Sequence, residues 1–196
     1  GASNGQLRGY AGSVTFTDGL DLTVHGTIHY GGAASNTFDE LRILPGAALE
    51  FGGHPRGGWN EATSQYEGEG IVIYARLVDV PVNARISGDA LGFNGNAGPG
   101  AWQSGLDYSG GAHGGVGGNN PRDLYGSATA PTSIGSGGWA RNGGGALRLE
   151  VTETLSVNGQ ITADGETGGT GTAGAGGSVW LSADVISGSG LISARG

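Results

Sequence analysis

At positions 143–165 the chain reads GGGALRLEVTETLSVNGQITADG. Between Leu155 and Ile161 the residues that can face a core recur at every second position, which is typical of a β-strand with one buried side. A looser copy, AGGSVWLSADVISGSGLISARG, occupies positions 175–196. Each copy contains two alternating runs with a short turn between them. The pattern therefore predicts two pairs of strands whose apolar residues occupy equivalent positions.

Related segments occur earlier in the chain. LTVHGTIHYGG begins at Leu22, and VPVNARISGDA begins at Val80 with Ala84 in place of the central glycine. FDELRILPGAALEFGG, at positions 38–53, predicts a further strand pair that turns at Pro45 and Gly46. Equivalent residues at equivalent positions indicate strands stacked in register.

This recurrence favours an all-β fold, a parallel right-handed β-solenoid (β-helix) with a long glycine-rich insertion. A β-sandwich uses the same alternation and is the alternative. We expect a single unit over residues 1–196, with N-terminal coils at 1–91, the insertion at 92–145 and C-terminal coils at 146–196. The insertion contains spaced aromatic residues, so we expect it to lie against the strands with an extended, polyglycine-like backbone.

Composition narrows the function. The 196 residues include 45 glycines and no cysteine, and the net charge is −8 with only nine basic residues, all arginine. So few cations argue against a nucleic acid partner. No apolar run is long enough to cross a membrane, so no membrane insertion is expected. The absence of cysteine is consistent with an extracellular or cell-surface location, which we take as the expected one.

Residues that could carry chemistry are scattered. His25 and His29 are four positions apart, too far to share a metal on one strand, and His54 and His113 show no metal spacing. We therefore predict no metal site, no cofactor and no catalytic residues. Polysaccharide-active enzymes place carboxylates and basic residues together on strands, which leaves a degenerate enzyme as a third possibility. The candidates for that site are Glu150, Glu153, Asp164, Asp184 and Asp79, with Arg148 and Arg76 near them.

Four aromatic residues are candidates for stacking on sugar rings, the alternative being that they pack against the strands. They are Trp59, Trp102, Tyr108 and Trp139.

The run YGS at Tyr125, a proline at 131, GSGG from Gly135, and then GGGALRLEV followed by VNGQITADG resemble the glycine-rich repeat modules of large secreted and cell-surface, adhesin-like proteins. The resemblance covers roughly positions 92–196 and, more weakly, the first 90 residues. It implies a form similar to right-handed β-helices, and it implies no catalytic residue set.

Spacing at the two ends suggests a role. Val179 comes 14 residues after Gly165, and if Gly196 were followed by Gly1, Val14 would again come 14 residues after the closing glycine. Chance in a glycine-rich sequence is the simpler explanation. The functional expectation is a non-catalytic extracellular structural protein, a subunit or tandem repeat that stacks head to tail on itself into a filament, sheath or surface fibre.

The alternative function is a carbohydrate-binding or adhesive module, with polysaccharide as the partner. The residues predicted to form the stacking surfaces are Val14, Phe16, Leu22, Val24, Ile28, Val179, Leu181, Ile186, Leu191 and Ile192.

Overall fold

The computed structural model consists of β-strands joined by turns and extended segments, with no helix among the described residues. Described are residues 7–17, 21–30, 35–51, 58–62, 65–68, 70–101, 109–120, 124–169 and 172–196. Within these, the backbone alone is described for 7–17, 21–30, 35–36, 58–60 and 65–67. The strands are β1 (Leu7–Thr17), β2 (Asp21–Tyr30), β3 (Ser35–Ile43), β4 (Ala48–Phe51), β5 (Gly58–Asn60), β6 (Gln65–Glu67), β7 (Ile71–Val80), β8 (Arg85–Ser87), β9 (Ala146–Val157), β10 (Gln160–Thr162), β11 (Ser178–Ser182), β12 (Val185–Ser187) and β13 (Leu191–Ser193).

Eleven strands form one sheet with two parallel rows. The first row has the order β11, β9, β7, β3, β2, and the second has the order β4, β8, β10, β13 and joins the first through β2. Strand β12 pairs with β9, further along β9 than β11 does. The remaining strands, β5 and β6, form a separate antiparallel pair.

The parallel register places similar residues side by side in columns. One is the isoleucine column, in which Ile192 lies beside Ile161 and Ile161 lies beside Ile86. The other is the mixed column, in which Ile186 lies beside Leu155 and Leu155 beside Val78.

The hydrophobic core lies between the rows. Its largest side chains are almost completely buried, because successive residues of a strand point to opposite faces and one face of each strand points inward. Burial of each such aliphatic side chain contributes about 1.5–3 kcal/mol. They include Leu41, Ile43, Leu49, Phe51, Ile71, Ile73, Ile86 and Leu147.

The predicted fold class, a parallel right-handed β-solenoid, is wrong. Parallel rows of five and four strands are present, but the sheet is mixed, since β1 runs antiparallel to β2 along its whole length. Within the described residues, long segments without strands also separate the strands, most of all between β8 and β9. The β-sandwich alternative fails as well, because most strand pairs are parallel.

Chain connectivity explains the error at the N-terminal end. Only three residues, 18–20, join β1 to β2, and a connection that short makes a hairpin, whereas parallel neighbours need a crossover of about a dozen residues or more. Val14 therefore lies opposite Val24 in an antiparallel pair. The sequence pattern had treated the run around Val14 as one more parallel strand.

A second difference concerns Val80, which was aligned with Leu155. In the structure Leu155 lies beside Val78, and Val80 lies beside Val157. The turn between β7 and β8 is longer than the turn between β9 and β10. The residues of β7 are therefore shifted by two positions along β9, while Ile86 still lies beside Ile161. The shift keeps the same face buried, because side-chain direction repeats every two residues.

Residues 92–145 connect β8 to β9 and contain no named strand in their described part. Their extended segments bond to one another through the backbone: Gly92 donates to the Gly143 carbonyl (2.7 Å) and Gly135 donates to the Gly144 carbonyl (2.8 Å). Phe93 and Ile134 form a small buried cluster with Ala146 at the start of β9. The segments therefore make a backbone-to-backbone assembly against the first row.

Candidate functional site

The sheet has an unpaired edge at its C-terminal end, formed by β11, β12 and β13 and called here the C-terminal edge. Among the described residues, β11 and β12 pair only with β9, and β13 pairs only with β10. Their outer N–H and C=O groups lack a strand partner within the described part of the chain. An unpaired strand edge is a template for adding another strand.

Burial changes abruptly where each column reaches this edge. In the isoleucine column, Ile86 and Ile161 are 0% exposed but Ile192 is 47% exposed. In the mixed column, Val78 is 2% and Leu155 0% exposed, whereas Ile186 is 53% exposed. The last member of each column therefore occupies a core position that no further residue of the described chain covers.

The other predicted stacking residues of this edge are placed in two ways. Val179 and Leu181 on β11 are partly buried against the core. Leu191 is 39% exposed and alternates with Ile192, so it points to the opposite face of β13. The edge thus carries apolar side chains on both faces.

The second long edge of the sheet belongs to β1. Among the described residues β1 pairs only with β2, so its other side has no strand partner there. The predicted stacking residues Val14, Phe16, Leu22, Val24 and Ile28 lie on β1 and β2, of which the structure describes the backbone. β1 has 11 residues, close to the span from Ser178 to Ser187 that β11 and β12 cover along β9.

A groove of about 700 Å³ adjoins the C-terminal edge. About half of the residues that line it are glycines. The lining comes from residues 110–111, 113–118, 124–128 and 173–178, with Pro131, Ala194 and Gly196. No Asp, Glu, Lys or Arg side chain is among the described residues that line it.

His113 and Tyr125 hold the groove wall in place. The His113 Nδ1–H donates to the Gly176 carbonyl (2.9 Å), and Nε2 lies 2.8 Å from the Ser133 hydroxyl. The His113 and Tyr125 rings are 4.6 Å apart, and the Tyr125 hydroxyl donates to the Ile134 carbonyl at 2.7 Å. Burial raises the pKa of Tyr125, so this hydroxyl stays a donor.

His113 makes stability depend on pH. Burial lowers the pKa of His113 from its usual 6.5, and bonds to the Gly176 and Gly177 carbonyls offset part of this. The unfolded chain then binds the proton more readily than the folded chain, so stability falls as the pH drops below the unfolded value. We expect Tm to decrease between about pH 7.5 and about pH 5.5. In His113→Gln this decrease should be smaller by scanning calorimetry, and an unchanged slope would contradict the assignment.

Of the four predicted sugar-stacking aromatics, the structure describes the side chain of Trp139 alone. Trp139 is 43% exposed in a turn. Trp59 lies on β5, of which the backbone is described, and Trp102 and Tyr108 lie outside the described residues. Sequence reasoning overlooked Trp180, whose ring on β11 lies 4.0 Å below the Arg148 guanidinium. Its position directly after Gly-Ser-Val, on the polar side of a strand, was the available signal.

The candidate carboxylates mostly pair with neighbouring groups in separate places. Glu150 binds Arg148 (2.6 Å) and Glu153 binds Arg76 (3.0 Å). Asp164 accepts hydrogen bonds from the Arg195 amide (2.7 Å) and the Ser193 hydroxyl (3.0 Å). Asp79 lies on β7 and Asp184 is exposed before β12.

The described residues contain neither a candidate metal cluster nor a candidate membrane-spanning helix. No group of three or more His, Asp or Glu side chains there is placed to hold a metal ion. Within the same residues, no helix is long and apolar enough to span a membrane. Of the four histidines, His25 and His29 lie on β2 with backbone described, and His54 lies outside the described residues.

No protein-family model matches the sequence, and searches of curated proteins and of solved structures find no similar protein.

Proposed function

We propose that this chain is a non-catalytic extracellular structural protein that assembles by adding a second copy at its C-terminal edge. The observation that carries the proposal is the change in burial within the columns, from 0% at Ile161 to 47% at Ile192. Covering the exposed half of Ile186 and of Ile192 contributes roughly 1 kcal/mol each, in addition to new strand hydrogen bonds. Both effects favour a partner strand.

The second copy contributes its β1 edge. This is the other long edge without a strand partner among the described residues, and its length matches that of β11 with β12. Because the two edges differ, the contact is heterologous and leaves a free edge at each end of a pair. Repetition of such a contact builds a filament, sheath or surface fibre.

Two glutamates at the edge should prevent assembly. In Ile186→Glu/Ile192→Glu the new carboxylates remain solvated in the single chain, since both positions are about half exposed, but would be buried without partners in the contact. The wild-type protein is expected to form fibres of uniform width with a reflection near 4.8 Å, and the double variant to stay monomeric by sedimentation velocity.

The matched control is Val82→Glu, at a 62% exposed valine in the turn between β7 and β8, away from the edge. It should assemble as the wild type does. Fibres from the double variant, or a wild-type chain that remains monomeric over the whole concentration range, would refute the proposal.

Carbohydrate binding is the second candidate, supported by the exposed ring of Trp139. Aromatic rings that face solvent are suited to stacking on sugars. We place it second because the described residues supply one such ring from the four predicted, whereas the edge presents a continuous set of strands.

A further inference from the structure

The C-terminal edge is not equally covered along its length. Its strongly exposed large apolar side chains all lie on β12 and β13, which we call together the docking segment (185–193). On β11, by contrast, Val179 and Leu181 are partly buried against the core. The part of the edge with most apolar surface left to cover is therefore the docking segment. Its exposed apolar residues are Val185, Ile186, Leu191 and Ile192.

The mixed column continues through the sheet to β1. Val78 of β7 lies beside Leu41 of β3, and Leu41 lies beside Leu22 of β2. Leu22 in turn lies opposite Phe16 of β1. The mixed column therefore runs from Phe16 at one edge of the sheet to Ile186 at the other.

The isoleucine column reaches β1 in the same way. Ile86 of β8 lies beside Leu49 of β4, and Leu49 lies beside Ile28 of β2. Ile28 lies opposite Gly9 of β1. A single strand, β1, thus forms the end of both columns at this edge, and the docking segment forms the end of both at the other.

The two columns have the same spacing along the chain near both edges. Leu22 and Ile28 are six residues apart on β2, and Ile186 and Ile192 are six residues apart in the docking segment. A strand that spans both columns on β2 can therefore span both columns on the docking segment. A strand placed along β11 and β12 would cover Ile186 alone.

We infer that β1 of the second copy lies along β12 and β13, with its Phe16 next to Ile186 and its Gly9 next to Ile192. The inference rests on the proposed function and specifies the register of that contact. The two strands run antiparallel, because Gly9 precedes Phe16 along β1 whereas Ile186 precedes Ile192. The same direction follows from the fold, since β1 is antiparallel to β2, and β2, β3, β7, β9 and β12 are parallel to one another.

The test places pairs of cysteines across this contact, in a chain that has no cysteine of its own. In the inferred register Thr15 lies opposite Ser187, and Thr17 lies opposite Val185. Opposite Cα atoms of an antiparallel pair are about 4.5–5.5 Å apart, which is within the range of a disulfide. Fibres of Thr15→Cys/Ser187→Cys, formed under reducing conditions and then oxidised with copper phenanthroline, should give a ladder of covalent oligomers on a denaturing gel. Thr17→Cys/Val185→Cys should give the same ladder.

Such a bond has to join two chains. Within one chain β2, β3, β7 and β9 lie between β1 and β12. Five strand spacings separate the two cysteines by roughly 24 Å, which is far beyond the reach of a disulfide. Each covalent oligomer therefore reports a contact between copies.

Thr15→Cys/Ser182→Cys is the matched control. Ser182 is also an exposed serine of this edge, but it lies on β11, five residues from Ser187 and too far away for the same thiol. It should give no ladder. Thr15→Cys/Leu191→Cys detects the opposite arrangement, in which β1 runs parallel to the docking segment with Phe16 next to Ile192, and it should give none either.

The outcomes separate the register from the assembly itself. A ladder from either control pair, or fibres in which neither expected pair cross-links, would overturn the inference and leave the proposed function standing. A wild-type chain that does not assemble would refute the proposed function, and the register with it.

Discussion

Alanine at position 177 is expected to destabilise the protein by about 3 kcal/mol, one of the largest effects of adding a single methyl group. The new Cβ would collide with the carbonyl oxygens of Gly145 and Gly144. The backbone cannot easily move away, because the Gly177 amide donates to the Ala163 carbonyl (2.8 Å) and the Ser178 amide to the Gly145 carbonyl (3.0 Å). Urea unfolding should show this loss in the free energy of unfolding. Thermal unfolding should show a Tm lower by roughly 6–12 °C.

Gly169→Ala is the control for this prediction. Nothing lies within 4 Å of an added Cβ at position 169, so its stability should stay within about 0.5 kcal/mol of the wild type. Alanine also restricts the unfolded chain, which acts in favour of the folded state in both variants. If the two variants proved equally stable, backbone-to-backbone packing at Gly177 would be refuted.

The strand register was largely predictable from sequence. Period-two alternation identified the buried face, and the recurrence of isoleucine two residues after a glycine or alanine placed Ile86, Ile161 and Ile192 in one column. Those signals are local, since they depend on side-chain direction along a strand. They fail where the length of a turn sets the register. At Val80, the longer turn between β7 and β8 shifts the pairing with β9 by two residues.

Strand direction was not available from the same pattern. The residues of β1 alternate as those of the parallel strands do, yet β1 pairs antiparallel with β2. Alternation indicates which face of a strand is buried, but it does not indicate whether the adjacent strand runs parallel or antiparallel. The three-residue connection at 18–20 carried that information, and with it the evidence against a regular coil.

The groove could not be predicted from sequence. Glycine content indicated extended backbone in residues 92–145, but the contacts that matter join distant segments, such as Gly111 to Ala173. Which carbonyl a glycine faces depends on tertiary packing and leaves no period in the sequence. The buried position of His113 could not be predicted for the same reason, because its hydrogen-bond partners, Gly176 and Ser133, are far along the chain.

Ile161→Ala and Ile192→Ala should differ sharply although both remove the same atoms from the same column. Ile161 is 0% exposed between Ile86 and Ile192, so its truncation leaves a cavity and should cost about 2–5 kcal/mol in urea unfolding. Ile192 is 47% exposed, so its truncation should cost less than about 1 kcal/mol in the single chain.

The effects of the two truncations on assembly should be reversed, with Ile192→Ala causing the larger loss. Provided Ile161→Ala is still folded at the assay temperature, it retains the edge side chains and should form fibres, whereas Ile192→Ala loses apolar surface that only a partner covers. Sedimentation at matched concentrations should therefore show a higher critical concentration for Ile192→Ala alone. Equal costs of the two truncations in unfolding would mean that Ile192 is as buried as Ile161 in the single chain. Ile192 would then offer no apolar surface for a second copy to cover, which would contradict its part in the proposed contact.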